Sequence, residues 1–390
     1  MKSFFQRLLG RPVQLPPPVV VRQYTAPRRC MYDRISERRL ALEAAQRLLD
    51  RAKPRGDFCT DGLSIEDVWL RLPGHTLDQQ SAIQDMPRHA NALSHDSRLV
   101  VAGGSRRLLR RIEADTGAQP SIDPLTRAIE LLRATLTHCP LLERVADWSQ
   151  IEVHLFTPSH VEPLIWFETV VGVWPQAWLP GGGFRTVCQM PAAWLDGLLS
   201  SNLSMPNHLC VSIDSWANLP SNAQPAQPTP LGEVVSLVSL KRGERKGTPD
   251  ATPRLTPRIT QAHEAGIDPA KSLEDLLRKL CDQPETRLAQ IDALIVDVGF
   301  EQAAPPHLLA CLSQHLPHLT PNQHVRVQPV SGQVGPIAAE WTRIALGCLA
   351  ARASPGLAQW VLDLTDSDSS SGWIIAAPPA VPTASTGSSI

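Results

Sequence analysis

From about residue 270 to residue 376 the chain alternates helical patterns with short, uninterrupted apolar runs, and this alternation limits the fold more than any other feature. The spacing predicts helices over 272–281, 305–316 and 336–351. It predicts strands over 293–298, 359–364 and 373–376, the last two joined by a turn over 366–372. A run such as Leu294-Ile295-Val296 has no polar side and must be covered on both faces, as strands of a mostly parallel sheet are when helices flank it. The class expected is therefore α/β, with helices layered on a sheet that a hairpin closes.

The pattern continues upstream in a less regular form. Leu99-Val100-Val101-Ala102, ending at Gly103-Gly104, reads as a buried strand that opens the main domain. Asp123 ahead of Pro124 starts a helix carrying Ile129, Leu132 and Leu136, which ends near Cys139-Pro140. Ile151, Val153 and Leu155 alternate with Glu152, His154 and Phe156, as a strand requires. Over 164–180 periodicity does not separate a buried helix from a pair of strands. A helix over 192–199 and strands over 209–213 and 233–240 follow, with a polar loop at 218–230 and an exposed basic connection at 243–258. Residues 1–96 read as an extended arm around Pro16-Pro17-Pro18, a helix over 37–53, a shorter helical pattern over 63–72 and a loop over 73–96. The tail, 378–390, is rich in Pro, Ala, Ser and Thr and is expected to be disordered.

Composition removes several classes of function. Hydrophobic residues make up 43% and charged residues 19%, as in globular proteins, and a net charge of -1 supplies no basic field for nucleic acid. Eight cysteines are scattered without a C-x-x-C pair, which predicts reduced thiols and a cytoplasmic location. The apolar stretch within Met1–Pro12 is too short and interrupted for a signal peptide or a membrane span.

Few motifs carry chemistry. His315, His318 and His324 do not share a helix face across Pro317, so they read as solvated histidines, and no metal is expected. Asp363, Asp366 and Asp368 lack the offsets of a calcium loop and fit a turn. Gly181-Gly182-Gly183 lacks the Lys-Ser/Thr of a phosphate loop, and no serine has a G-x-S-x-G context. The run Lys241–Lys246 contains Glu244, has no aromatic neighbours and reads as a solvated loop. No cofactor is expected. Trp166, Trp174 and Trp178 lie within thirteen residues, either packed in the core or forming an aromatic patch for a protein partner. Cys188 lies just ahead of a predicted helix, where an amino terminus favours a thiolate, so it is either a nucleophile or, as we prefer, an ordinary buried thiol.

Four segments, in order, resemble the thiolase-like β-ketoacyl synthases. Cys210-Val211-Ser212-Ile213-Asp214-Ser215 is similar to a strand ending in "VDS", and Pro230-Leu231-Gly232-Glu233-Val234-Val235 to a "PGEAA" strand. Leu294-Ile295-Val296-Asp297 resembles a strand ending in Asp, and Ser331-Gly332-Gln333-Val334-Gly335-Pro336-Ile337-Ala338-Ala339 a "GDxGAA" turn that opens an apolar helix. The resemblance covers about residues 98–377. It implies a thiolase-like layered fold of duplicated sheet-and-helix halves, about 97–242 and 259–377, behind an extended and helical amino-terminal extension. Condensing members pair a nucleophilic Cys with two His, or with a His and an Asn. Gln333 stands where such a partner is often found, and the nearest imidazole, His324, lies seven residues before Ser331. The resemblance therefore implies a degenerate scaffold similar to lipase-effector adaptors associated with bacterial type VI secretion. It also implies a protein partner and a homodimer formed through the sheets. The competing expectation is an acyl-transferring or condensing enzyme with Cys188 as nucleophile.

Overall fold

The computed structural model describes residues 63–79, 96, 98, 108–113, 119–200, 205–216, 230–242, 252–256, 258–263, 268–282, 288–297, 305–319, 324–326, 331–364 and 369–377. All of them lie in the second of two units of the chain, Phe58–Ile390. The expected arm, the helix over 37–53, the strand over 99–102, the loop at 218–230 apart from Pro230, and the tail lie outside the described residues.

The strands are β1 (Leu63–Leu72), β2 (His75–Asp78), β3 (Leu109–Arg110), β4 (Ile151–Phe156), β5 (Phe184–Val187), β6 (Asn207–Ser215), β7 (Leu231–Arg242), β8 (Arg254–Leu255), β9 (Ile259–Ala262), β10 (Ile291–Asp297), β11 (His324–Arg326), β12 (Ala358–Asp363) and β13 (Ser369–Ala376). The α-helices are α1 (Pro124–His138), α2 (Pro140–Arg144), α3 (Pro163–Val173), α4 (Pro191–Ser200), α5 (Pro269–Cys281), α6 (Pro306–His315) and α7 (Pro336–Ala353). Each has proline near its start, where the missing N–H costs no intrahelical bond.

Two stretches of chain repeat one design. In the first half, α1-β4-α3-β5-α4-β6-β7, strand β4 pairs in parallel with β5 and β6, and β6 pairs antiparallel with β7. In the second, α5-β10-α6-β11-α7-β12-β13, β10 pairs in parallel with β11 and β12, and β12 antiparallel with β13. The sheet orders β5-β4-β6-β7 and β11-β10-β12-β13 are thus equivalent, and β1 and β8 join them between β7 and β13.

Three apolar clusters define the layers. The central one joins α4 and α7 to inward residues of both halves, including Phe156, Cys210, Val238, Ile295, Val361 and Ile375. One outer cluster packs α1 and α3 on the first half, and the other packs α5 and α6 on the second. Helix α7 is buried from Ala338 to Ala351, as a helix inside a packed layer must be. Gly347 lets it approach the sheet, since a methyl there would lie 2.7 Å from Val361 Cγ2 and 2.8 Å from Ile375 Cδ1. Among the described residues no helix is long and apolar enough to cross a membrane.

Several sequence expectations are corrected. Residues 63–72 form strand β1 and not a helix. A bulge between Ile65 and Asp67 breaks the two-residue alternation, so that the buried Leu63, Ile65, Val68, Leu70 and Leu72 imitate helical spacing. Within the expected loop at 73–96, β2 pairs with β1 as a hairpin, so the sheet begins ahead of residue 97. The ambiguous stretch over 164–180 is α3 followed by a 3-10 turn at Gln176–Trp178. Within the expected connection at 243–258, β8 pairs with both β1 and β13. Strand β13 starts at Ser369, within the expected turn.

Candidate functional site

Three of the four segments that carried the resemblance meet at the carboxyl end of β6, while Leu294-Ile295-Val296-Asp297 lies in β10 of the second half. Asp214, next to last in β6, is fully buried and accepts hydrogen bonds from Gly335 N (2.7 Å), Ser159 N (3.1 Å), Ser159 Oγ (3.0 Å) and Ser215 N (3.1 Å). Burial pushes its carboxyl above the ordinary range, opposed by these hydrogen bonds. Gly335 is the amino cap of α7, and a side chain there would collide with Ser159 Oγ and Asp214 Oδ2. Beside it Gly232 N donates to Gln333 O and Gln333 N to Pro230 O, both at 2.8 Å. Gly332 has φ +76°, and Gly232 Cα lies 2.9 Å from where its side chain would begin, so only glycine fits.

Glu233, one residue further along β7, anchors the same region. Its Oε2 pairs with Arg127 Nη2 at 2.7 Å and accepts from Ile112 N at 2.9 Å, while Oε1 accepts from Ser215 Oγ at 2.9 Å. Both charged partners are buried, at 0% and 1% exposure, which makes the pair a dry link between α1 and β7.

Cys188 stands on the turn between β5 and α4, one residue past Val187 and three before Pro191, and it is exposed and not buried as preferred from sequence. Parallel register sets Val187 beside Phe156, which brings the thiol to Thr157, with 3.5 Å between Sγ and Oγ1. Among the described residues that hydroxyl is its one hydrogen-bond partner. His160, at φ 62°, and Trp216 flank the Asp214 region with ring centroids 6.4 Å apart.

Two imidazoles lie further down the strands of the first half, His154 fourth of the six residues of β4 and His208 second in β6. His154 is in register with Arg185, three residues before Cys188, or about 10 Å along the strand. Its Nε2 is 3.0 Å from His208 Nδ1 and 3.3 Å from Glu152 Oε2, and His208 Nδ1 is 3.6 Å from the same oxygen. Arg185 holds the other oxygen of Glu152. Burial, then the neighbouring His208 and Arg185, pushes His154 down to about 3, so its ring is neutral. These three residues are, among those described, the group of His, Cys, Asp and Glu side chains close enough to share a metal ion.

The sequence reading missed this group. In β4, the alternation of Glu152 and His154 with apolar residues marks a strand without saying what covers its polar side, and every residue of the strand is buried because α4 covers that side. Of the histidines that were considered, His318 Nε2 bonds Ile291 O at 2.8 Å and His315 Nε2 lies 3.6 Å from Glu274, while the side chain of His324 lies outside the described residues.

Of the two readings of the tryptophans, core packing accounts for Trp166 and Trp174. Trp166, Val170 and Trp174 follow one another at four-residue spacing, the inward stripe of α3, and the two indoles are 0% and 3% exposed in the outer core. Trp174 Nε1 donates to Trp178 O at 2.9 Å, and Trp178, half-buried, stacks on Trp148 with centroids 6.2 Å apart. Packing therefore uses Trp166 and Trp174 completely and leaves only Trp178 in part accessible.

No family model matches the sequence. No curated protein matches it either. Solved structures do. The ishigamide ketosynthase/chain length factor is 14% identical, with 81% of this chain and 99% of that chain covered and a TM-score of 0.50. An OleA variant of Xanthomonas campestris is 14% identical over 81% and 98%, with a TM-score of 0.46. The 3-oxoacyl-(acyl carrier protein) synthase III of Pseudomonas aeruginosa PAO1 is 14% identical over 82% and 100%, with a TM-score of 0.44. At such identity likeness speaks for architecture alone, and together with the repeated halves it establishes that this chain has the thiolase-like fold of the ketosynthases.

Proposed function

We propose that the protein is a non-condensing, partner-binding protein built on a ketosynthase-like scaffold. One observation carries this reading: the thiol on the strand-to-helix turn meets a hydroxyl, Thr157, while His154 and His208 are committed to each other and to Glu152 about 10 Å away along the strands. Among the described residues no imidazole or carboxylate bonds the thiol, and a thiol without a base is a weak nucleophile, while decarboxylative condensation also needs donors aimed at the developing charge. The partner is another protein, and the resemblance to type VI lipase-effector adaptors names its class: a secreted effector or a component of the delivery spike. Cytoplasmic location and a sheet-to-sheet homodimer belong to the same proposal.

Size-exclusion chromatography with light scattering tests the adaptor reading. Mixing the full-length protein with the effector and spike proteins encoded beside it is expected to give a one-to-one complex with one of them. Failure to bind any of them removes the adaptor function.

The condensing alternative draws support from the exposure of Cys188 and its place on the turn into α4. It requires acylation of that thiol.

A further inference from the structure

Strands β4 and β6 run in parallel with Glu152 opposite His208 and His154 opposite Cys210, so four ligand-type side chains share one face of the sheet in two adjacent rows. We infer that Glu152 Oε2, His154 Nε2 and His208 Nδ1 form a binding site for a divalent transition metal ion of the zinc class, beneath α4.

Ligand bonds of roughly 2.1 Å in a tetrahedral site put donor atoms about 3.4 Å apart. The three donor pairs here are separated by 3.0, 3.3 and 3.6 Å. An ion lying slightly out of their plane reaches all three after shifts of a few tenths of an ångström.

The donor types fit as well. Two imidazoles and a carboxylate suit zinc and its neighbours, whereas calcium and magnesium take oxygen ligands. Glu152 divides its oxygens, one toward both imidazoles and one to the Arg185 guanidinium, which leaves the carboxylate oriented for one-atom ligation by an outer-shell partner. His154 Nδ1 is buried with no hydrogen-bond partner among the described residues, so all of that ring's polar contacts face the cluster. Trp194 of α4 packs 4.6 Å from the His154 ring and closes the site from the helix layer. Three protein ligands leave a fourth position for water or for the buried Cys210 thiol, two residues beyond His208 on the same face. The site stands independently of whether Cys188 reacts, because His154 is in register with Arg185, about 10 Å along the strand from that thiol.

A chelator-stripped preparation of the full-length protein, titrated with Zn(II) and with Co(II), tests this. The expected result is one ion per chain, visible d–d absorption of tetrahedral Co(II), and a Tm that rises with zinc. A thiolate-to-cobalt band that is lost in Cys210→Ser would assign the fourth ligand to Cys210, and its absence would assign it to water. Binding should weaken at least about 100-fold in His154→Gln and His208→Gln, since even an outer-shell partner is worth 10–100-fold. It should persist in His315→Gln, which lies in the second half. If the histidine variants do not fold, Glu152→Gln and the wild-type cobalt spectrum decide. Less than one ion per chain with no d–d bands and an unmoved Tm would mean a hydrogen-bonded triad only. Unchanged uptake by folded histidine variants would place the ion elsewhere, and either result overturns the site.

Discussion

Gly335 N donates to Asp214 Oδ2 at 2.7 Å, which ties the start of the buried helix α7 in the second half to the end of β6 in the first. The two halves repeat one topology, and this bond holds them at the ends of their strands. Removing the carboxylate strands four donors, Gly335 N, Ser159 N, Ser159 Oγ and Ser215 N. Asp214→Ala is expected to cost at least about 3 kcal/mol, since each buried unsatisfied donor costs ~1–3 kcal/mol. Gly335→Ala, which drives a methyl into Ser159 Oγ and Asp214 Oδ2, should destabilise by a similar amount. Urea denaturation monitored by tryptophan fluorescence measures both, and a loss under about 0.5 kcal/mol, the range of ordinary surface changes, would mean that the bond is not structural.

Glu233 and Arg127 form a buried pair whose members depend on each other. Glu233→Ala leaves the buried guanidinium with the part-exposed Glu130 as its carboxylate partner and should cost about 3 kcal/mol. The double replacement by apolar residues, Arg127→Met with Glu233→Met, should recover most of that loss, because it removes both charges together. A double mutant no more stable than Glu233→Ala would show that the carboxylate acts mainly through Ser215 and Ile112.

Glu340 sets a pH dependence. Burial raises its carboxyl from the ordinary 4.5 to about 7, against the lowering effect of Arg343 and Arg258. Between those pH values the unfolded chain has lost a proton that the folded chain keeps, so stability falls as pH rises through the window. The loss reaches about 3 kcal/mol above pH 7, at 1.36 kcal/mol for each pH unit between the two pKa values. Glu340→Gln should flatten the stability profile between pH 4.5 and 7 and make the protein more stable than wild type at pH 8. A parallel profile in wild type and variant would place the proton elsewhere.

Cys188→Ala should leave stability within about 0.5 kcal/mol, because the thiol is exposed and its one contact is a hydroxyl at 3.5 Å. A larger change in the urea midpoint would show that the turn into α4 depends on the thiol.

Most of the second half was legible in the sequence because its strands are unbroken apolar runs and its helices open at clear start signals, as the buried Leu294-Ile295-Val296 and Pro336 illustrate. Strand β1 was not, since one bulge changes the apparent period from two to three. The resemblance segments were legible one at a time, but their convergence on Asp214 and Gly335 depends on contacts 121 residues apart in the chain. The Glu152, His154 and His208 group was hidden for two reasons: His208 is 54 residues from His154, and alternation cannot tell a solvent face from one covered by a helix. The tryptophans left two readings open because composition alone does not separate core from interface, and the four-residue spacing of Trp166, Val170 and Trp174 turns both indoles inward.

Whether this scaffold condenses acyl groups is decided most directly by the intact mass of the full-length protein after incubation with a medium-chain acyl thioester or with cerulenin. An unmodified chain is expected under conditions that fully acylate a competent ketosynthase run alongside. A stoichiometric adduct on Cys188, absent in Cys188→Ala, would contradict it.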